Sequence, residues 1–134
     1  MNIQDNKAVE RLVNKQHEIC SNILRELEKN RKKKTHWLWY IFPTNQPGMS
    51  DKLQTYITKD TVEIFLKSAP PEWRMCLEQI VTLAIEKNYR LEKVLFDIDI
   101  GRVVFFIKFW KEIPNKPIWL SDICDILHIL INKN

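Results

Sequence analysis

The sequence predicts an all-α fold: a single compact domain of about six helices with one aromatic connecting segment. Three observations predict it. The 134 residues include only two glycines, too few positive-φ positions for a sandwich or barrel rich in tight turns. Apolar residues recur with a period near 3.6 in several segments, as in amphipathic helices. The β-rich run at 103–107 has no second run to pair with, so we assign it to a buried helix.

The composition narrows the class of protein. The length fits one domain, which we place at 1–134, and 45% hydrophobic with 28% charged residues exclude disorder for most of the chain. The scarcity of glycine excludes folds built on glycine-rich phosphate loops. Cys20, Cys76 and Cys124 are too widely spaced to indicate a disulfide framework or a zinc site. With no signal segment and no membrane span in the sequence, we expect a cytoplasmic protein.

The first helix is predicted over 9–27, where an amphipathic stripe carries Val9, Leu12, Val13, Ile19, Cys20, Ile23, Leu24 and Leu27. Gln16 interrupts this stripe, so its amide points at the core or at a pocket, and a buried amide needs partners. The two prolines and the glycine between 43 and 48 break the next segment into a loop. Ser50 can then cap a short helix that runs through about residue 57, with Asp51 in its first turn.

Four further helices are predicted in the second half of the chain. Asp60 or Thr61 can cap one, and the paired prolines at 70–71 begin another that runs to about residue 88. Asp99 is a suitable cap for the buried helix, which we expect over 102–110, with Pro114 ending it. Its three phenylalanines, at 105, 106 and 109, should be largely buried. The last helix should begin at 121–122, with an apolar stripe facing inward.

The net charge of +4 has a local origin. Residues 61–134 contain 10 basic and 10 acidic side chains, whereas residues 1–60 contain 11 and 7. The excess lies mostly in one basic run, Lys29-Asn30-Arg31-Lys32-Lys33-Lys34. Such a run can create a positive electrostatic potential that attracts phosphates and acidic partners, or it can be an ordinary solvated connector. Charge runs are usually solvated connectors.

The most informative stretch follows the basic run: Thr35-His36-Trp37-Leu38-Trp39-Tyr40-Ile41-Phe42-Pro43. Indole and phenol rings offer flat surfaces on which planar ligands stack, and an imidazole titrates near neutral pH. Large rings are also ordinary core material, so this composition alone leaves both interpretations open.

This string resembles the hallmark of the family catalogued as domain of unknown function 1810, approximately Ser-His-Trp-Met-Trp-Phe-Ile-Phe-Pro-Gln. The family's Ala-Gln pair on its first helix looks like Lys15-Gln16, and its Glu-Leu pair looks like Glu26-Leu27. A later family motif, Asp-x-x-Lys followed by a Ser-Ser pair, looks like the stretch from Asp99 onward. Phe105 and Phe106 replace the two serines and Thr44 replaces the closing Gln, so the chain is a divergent member. The resemblance implies a mainly α-helical domain with no known biochemical role.

The residues that could form one pocket come from the first helix, the aromatic segment and the start of the buried helix. Arg102 can hold a phosphate or carboxylate in a bidentate manner, while Trp37 or Trp39 can stack on a planar group. The predicted ligand-binding residues are Gln16, Lys34, His36, Trp37, Trp39, Tyr40 and Arg102. The leading hypothesis is therefore a binding module for a small planar anion, such as a nucleotide or an ADP-ribose-like molecule.

Two alternatives stay open. In the first, His36 acts as general acid or base, oriented by Asp99, in a hydrolase that cleaves a glycosidic or phosphoester bond of such a ligand. In the second, which ranks lower, the basic run at 29–34 binds nucleic acid or a protein. We expect no cofactor and no membrane partner. We also expect no metal, since the three histidines are far apart in the sequence. The sequence indicates no nucleophile and no oligomeric state.

Overall fold

The computed structural model describes residues 2–132, and within that range the chain is helical, with no strand. The six α-helices found there are α1 (Ile3–Asn30), α2 (Leu38–Ile41), α3 (Val62–Ser68), α4 (Pro71–Glu86), α5 (Ile100–Lys111) and α6 (Ile118–Asn132). Two short 3-10 turns, Leu91–Lys93 and Asp97–Asp99, connect α4 to α5. The predicted all-α, multi-helix class is confirmed. Residues 1, 133 and 134 of the predicted 1–134 domain lie outside the described residues.

Helix α1 is longer at both ends than the predicted 9–27. The Asn2 side chain caps its start by accepting a hydrogen bond from Gln4 N at 2.8 Å. It ends at Arg31, whose φ of 59° is left-handed and whose N–H donates to the Leu27 carbonyl. One face of α1 packs on α4, α3 and α2. Gln16 lies on that buried face.

Helix α4 is the central element, in contact with α1, α2 and α6. Pro71 is its first residue, as predicted, because proline lacks only an N–H that has no helical partner there. The indole of Trp73 donates to the Ile41 carbonyl at 2.9 Å and so ties α4 to α2. The rings of Phe65 and Trp110 pack against Trp73, with centroids 4.9 and 6.3 Å away. These rings form the middle of the core.

Helix α5 is helical where predicted, but the expectation that Phe105 is buried was wrong. Phe106 and Trp110 are fully buried, and Phe109 is half-buried, whereas Phe105 is 63% exposed. One residue turns the helix by about 100°, and the core and α6 cover only one side of α5. An apolar run therefore does not require that a helix be surrounded.

The predicted helix over 50–57 does not form. The Asp51 carboxylate accepts hydrogen bonds from Leu53 N at 3.0 Å and Thr55 N at 2.6 Å. These local bonds satisfy the backbone in place of a helical ladder, and the left-handed φ of 56° at Gln54 breaks any helix. Conversely, the aromatic segment contains one turn of helix, α2, that was not predicted. Helix α6 begins at Ile118, three residues before its predicted start.

Candidate functional site

The aromatic segment runs between α1 and the loop at 44–57, and its central residues contact α1, α5 and, through the Trp73 indole, α4. The Nε2 of Gln16 on α1 donates to the Tyr40 carbonyl at 2.7 Å. The Nε of Arg102 on α5 donates to the Phe42 carbonyl at 3.1 Å. We call Gln16, Trp39, Tyr40 and Arg102 the Gln16–Arg102 cluster. All four were predicted ligand-binding residues. Trp39 and Tyr40 belong to α2, and the fold brings Gln16 and Arg102 against α2 and the residue that follows it.

Three polar atoms of this cluster are buried without a hydrogen-bond partner among the described residues: Gln16 Oε1, Trp39 Nε1 and Arg102 Nη2. One is an acceptor and two are donors. Most buried polar side-chain atoms in proteins are hydrogen-bonded, and an unsatisfied one costs about 1–3 kcal/mol. Three of the six such atoms in residues 2–132 belong to this cluster, which makes it the candidate for an external hydrogen-bonding partner.

Burial sets the electrostatics of Arg102. Desolvation lowers the pKa of its guanidinium to about 10, and the charge of Asp51 acts in the opposite direction. Asp51 makes no hydrogen bond to Arg102, because its two oxygens accept from other groups. These donors are Leu53 N, Thr55 N, Thr55 Oγ1 and the Tyr40 hydroxyl. The positive charge of Arg102 therefore has no ion-pair partner in the described chain.

The two rings of the cluster lie under the loop. Burial raises the pKa of the Tyr40 hydroxyl, and Asp51 raises it further, while the Trp39 side chain lowers it. The indole of Trp39 is half-buried and meets the Tyr40 ring edge-on, with centroids 5.6 Å apart. Gly48 lies directly against this indole, since a Cβ there would come within 2.7 Å of the Trp39 Cγ. Gly48 and Asp51 thus hold the loop against Trp39 and Tyr40.

A buried ion pair lies next along the chain from this cluster. Lys33, 2% exposed, donates from Nζ to Asp99 Oδ2 at 2.9 Å, and its ammonium lies 4.1 Å from the Phe96 ring centroid. The same Asp99 oxygen accepts from Phe96 N. Asp99 therefore neutralises Lys33. His36 is exposed, and its ring lies beside the Phe96 ring, with centroids 5.9 Å apart.

The remaining predicted residues lie around Glu26 of α1. The buried Trp37 donates from Nε1 to Glu26 Oε2 at 2.8 Å, so its indole is satisfied within the protein. The backbone N–H of Lys34 donates to the same oxygen, while the Lys34 side chain is exposed. The Trp37 carbonyl also accepts a hydrogen bond from Tyr40 N at 3.1 Å, so its backbone adjoins the Gln16–Arg102 cluster while its indole is held by Glu26. The role of Lys34, His36 and Trp37 in binding stays a prediction.

The contacts that Asp51, Phe96 and Glu26 make around the site were not predicted from the sequence. Asp51 carried a signal, because an aspartate followed by a threonine four residues later is suited to a local side-chain-to-backbone bond. Phe96 carried none, since a single apolar residue in a connector has no pattern. Glu26 was noted only because Glu26-Leu27 resembles the family's Glu-Leu pair.

Thiol and metal chemistry find little support in the described residues. The three cysteines are buried and unpaired. A hydrogen bond with Cys20 and burial raise the pKa of Cys76, and burial raises the pKa of Cys124 to about 12, so neither is a thiolate near neutral pH. Residues 2–132 contain no group of three or more side chains suited to hold a metal ion. No helix in this range is long and apolar enough to cross a membrane.

Comparison with known proteins gives one match. A family model described as "Protein of unknown function (DUF1810)" matches residues 6–118. The matched range contains the Gln16–Arg102 cluster, the Lys33–Asp99 ion pair and the whole aromatic segment. No curated protein and no solved structure matches the chain.

Proposed function

The chain belongs to the DUF1810 family, and from the Gln16–Arg102 cluster we propose that it is a binding module for a small planar anion. The observation that carries this proposal is the trio of buried, unpartnered polar atoms. A nucleotide or an ADP-ribose-like molecule is the best candidate, because it combines a flat base, hydrogen-bonding edges and phosphate.

Each part of such a ligand has a complementary group. Arg102 Nη2 offers a charged donor for a phosphate oxygen, and Asp51, the carboxylate whose charge acts on it, makes no hydrogen bond to it. Gln16 Oε1 can accept from an exocyclic amine, while the indole of Trp39 supplies a flat surface and a second donor. Since these atoms are buried, a ligand reaches them only when the loop at 44–57 moves from Trp39 and Tyr40. Binding is therefore expected to be coupled to a shift of this loop.

The hydrolase alternative gains no support from the geometry. It needs a carboxylate that orients His36, and Asp99 is instead held by Lys33 and Phe96 N. That alternative stays a prediction without a supporting contact.

Calorimetric titration with AMP, ADP, ADP-ribose and cyclic nucleotides tests the proposal. We expect at least one to bind, and we expect Arg102→Gln to weaken its binding about tenfold or more, because it removes the charged donor. Lys108→Gln is the matched control: it removes one positive charge from an exposed position of the same helix and should leave binding unchanged. No heat across the panel at millimolar concentration, or equal losses in both variants, would contradict the proposal.

A further inference from the structure

A second candidate site lies where the end of α1 meets the end of α4. Four basic residues, Lys32, Lys87, Arg90 and Lys93, line a shallow depression of about 520 Å³ together with Asn88. We call these four the basic corner. Lys32 follows α1, Lys87 ends α4, and the other two belong to the connection towards α5. Three separate parts of the chain thus place positive charge on one open surface.

Among the described residues, only Arg90 of the basic corner has a carboxylate within ion-pair distance. Glu86 pairs with Arg31 at 2.7 Å, and Glu92 lies 3.9 Å from Arg90. Lys87 Nζ donates to the Lys93 carbonyl. Within residues 2–132 no carboxylate lies within ion-pair distance of Lys32, Lys87 or Lys93. Partial burial lowers the pKa of Lys87, the charges of Lys32 and Arg31 lower it further, and the charge of Glu86 acts in the opposite direction.

The backbone that builds the basic corner is unusual. Asn88 and Tyr89 both have a φ of 62°. Asparagine tolerates this left-handed conformation, whereas a bulky aromatic residue adopts it rarely and with backbone strain. The double turn reverses the chain and brings Arg90 and Lys93 beside Lys87. It also leaves the Tyr89 side chain 44% exposed between two lining residues.

We propose that the basic corner binds the phosphodiester backbone of a single-stranded nucleic acid. An open surface with several unneutralised cations suits an extended polyanion better than an isolated phosphate, which requires an enclosed set of donors. An exposed aromatic ring beside such a surface is the usual platform on which bases of a single strand stack. The site shares no residue with the Gln16–Arg102 cluster, so it stands or fails independently of the proposed function.

This site differs from the basic run at 29–34 that the sequence indicated. Lys33 is buried against Asp99 and Arg31 is paired with Glu86, so the run does not act as one patch. The balanced charge of 61–134 concealed a local excess, because Lys87 and Lys93 lie beside Lys32 while the nearby Glu86 and Glu92 pair with Arg31 and Arg90.

Fluorescence anisotropy with a labelled single strand of about 12 nucleotides tests the proposal. At low salt we expect binding whose log–log dependence on KCl has a slope of about −2 to −3, as three or four phosphate contacts predict at roughly 0.7 each. The variants Lys32→Glu, Lys87→Glu and Lys93→Glu should each weaken binding and flatten the slope, and the triple variant should abolish it. Circular dichroism confirms that each variant is folded.

Lys7→Glu is the matched control, because it makes the same charge change on the exposed first turns of α1, about 35 Å along the helix axis from its other end. It should retain nearly all binding. Tyr89→Asn, which keeps a residue tolerant of positive φ, should weaken binding about fivefold or more through lost stacking.

Several outcomes would overturn the proposal. They are no binding at low salt, an equal loss in Lys7→Glu and the basic-corner variants, and tighter binding of a duplex than of the single strand. Binding of inorganic phosphate or of anionic phospholipid vesicles, sensitive to the same variants while the oligonucleotide stays unbound, would do so too.

Discussion

Glu26 is the residue that holds the start of the aromatic segment on α1. Its carboxylate accepts hydrogen bonds from Lys34 N, Thr35 N, the Thr35 hydroxyl and the Trp37 indole. Burial alone raises the pKa of Glu26, but these four donors outweigh it, and the pKa lies below its ordinary value of 4.5. One ionised side chain thus fixes the path of the chain from α1 into the candidate site.

Replacing Glu26 with Ala should lower the free energy of unfolding by about 1–3 kcal/mol at pH 7, because the buried Trp37 donor loses its acceptor. A depressed pKa stabilises the fold above the unfolded-state value and loses that contribution as the pH falls. The difference between wild type and variant should therefore shrink below pH 4.5. Urea unfolding at neutral and acidic pH measures both effects.

Glu28→Ala, at an exposed position of α1, is the control for Glu26 and should change stability by less than about 0.5 kcal/mol. A gap between wild type and Glu26→Ala that stays the same at acidic pH would contradict the role of the ionised carboxylate.

Lys33 and Asp99 show what residue type alone cannot reveal. Lys33 belongs to a run of basic residues, a pattern that predicts exposure to solvent, yet it is among the most buried side chains of the protein. Its ammonium is compensated by a carboxylate 66 positions away in the sequence and by the faces of Phe96 and Trp37. A buried ion pair of this kind requires both partners, since an unpaired charge in the interior is strongly unfavourable.

At the level of elements, α5 provides the clearest contrast between two neighbouring and identical side chains. Phe106 is fully buried and meets Phe42 edge-on, with centroids 5.1 Å apart, whereas Phe105 is mostly exposed. Phe106→Ala should lower the free energy of unfolding by about 3–5 kcal/mol through a lost transfer energy and a cavity. Phe105→Ala, the matched control, should change it by less than about 1 kcal/mol. Chemical denaturation measures both losses. A larger loss for Phe105→Ala than for Phe106→Ala would mean that the other face of α5 is covered.

The loop at 44–57 is the element for which local pattern was most misleading. Serine followed by aspartate is a common helix start, but here the Asp51 carboxylate turns to Thr55 and Tyr40. These hydrogen bonds replace a helical turn and attach the loop to the core. Gly48 of the same loop lies against Trp39. The loop is therefore part of the candidate site and not a spacer.

For the whole molecule, the buried residues of all six helices form one continuous core cluster. Trp73 and Trp110 lie in its middle and report on tertiary packing, while the helices report through far-ultraviolet circular dichroism. We predict a single cooperative transition in which tryptophan fluorescence and circular dichroism give the same denaturant midpoint. Helical signal that persists after the fluorescence change is complete would contradict the prediction of one domain.

The properties that could be predicted from the sequence depend on interactions between residues close together in the chain. The helical class, the start of α4 at Pro71 and the course of α5 follow from periodicity and proline chemistry, and the aromatic string sufficed to identify the family. Of the seven predicted ligand-binding residues, the structure unites Gln16, Trp39, Tyr40 and Arg102. The family resemblance had already singled out these positions.

Helix packing alone determines which distant side chains meet. Gln16 finds Tyr40, Lys33 finds Asp99, and Lys32 lies beside Lys87 and Lys93 because α1, α4 and α5 are packed in one particular arrangement. The same packing turns Phe105 to solvent and Phe106 to the core. Burial and contact between residues many positions apart depend on how the helix faces meet, and neither composition nor local periodicity contains that information.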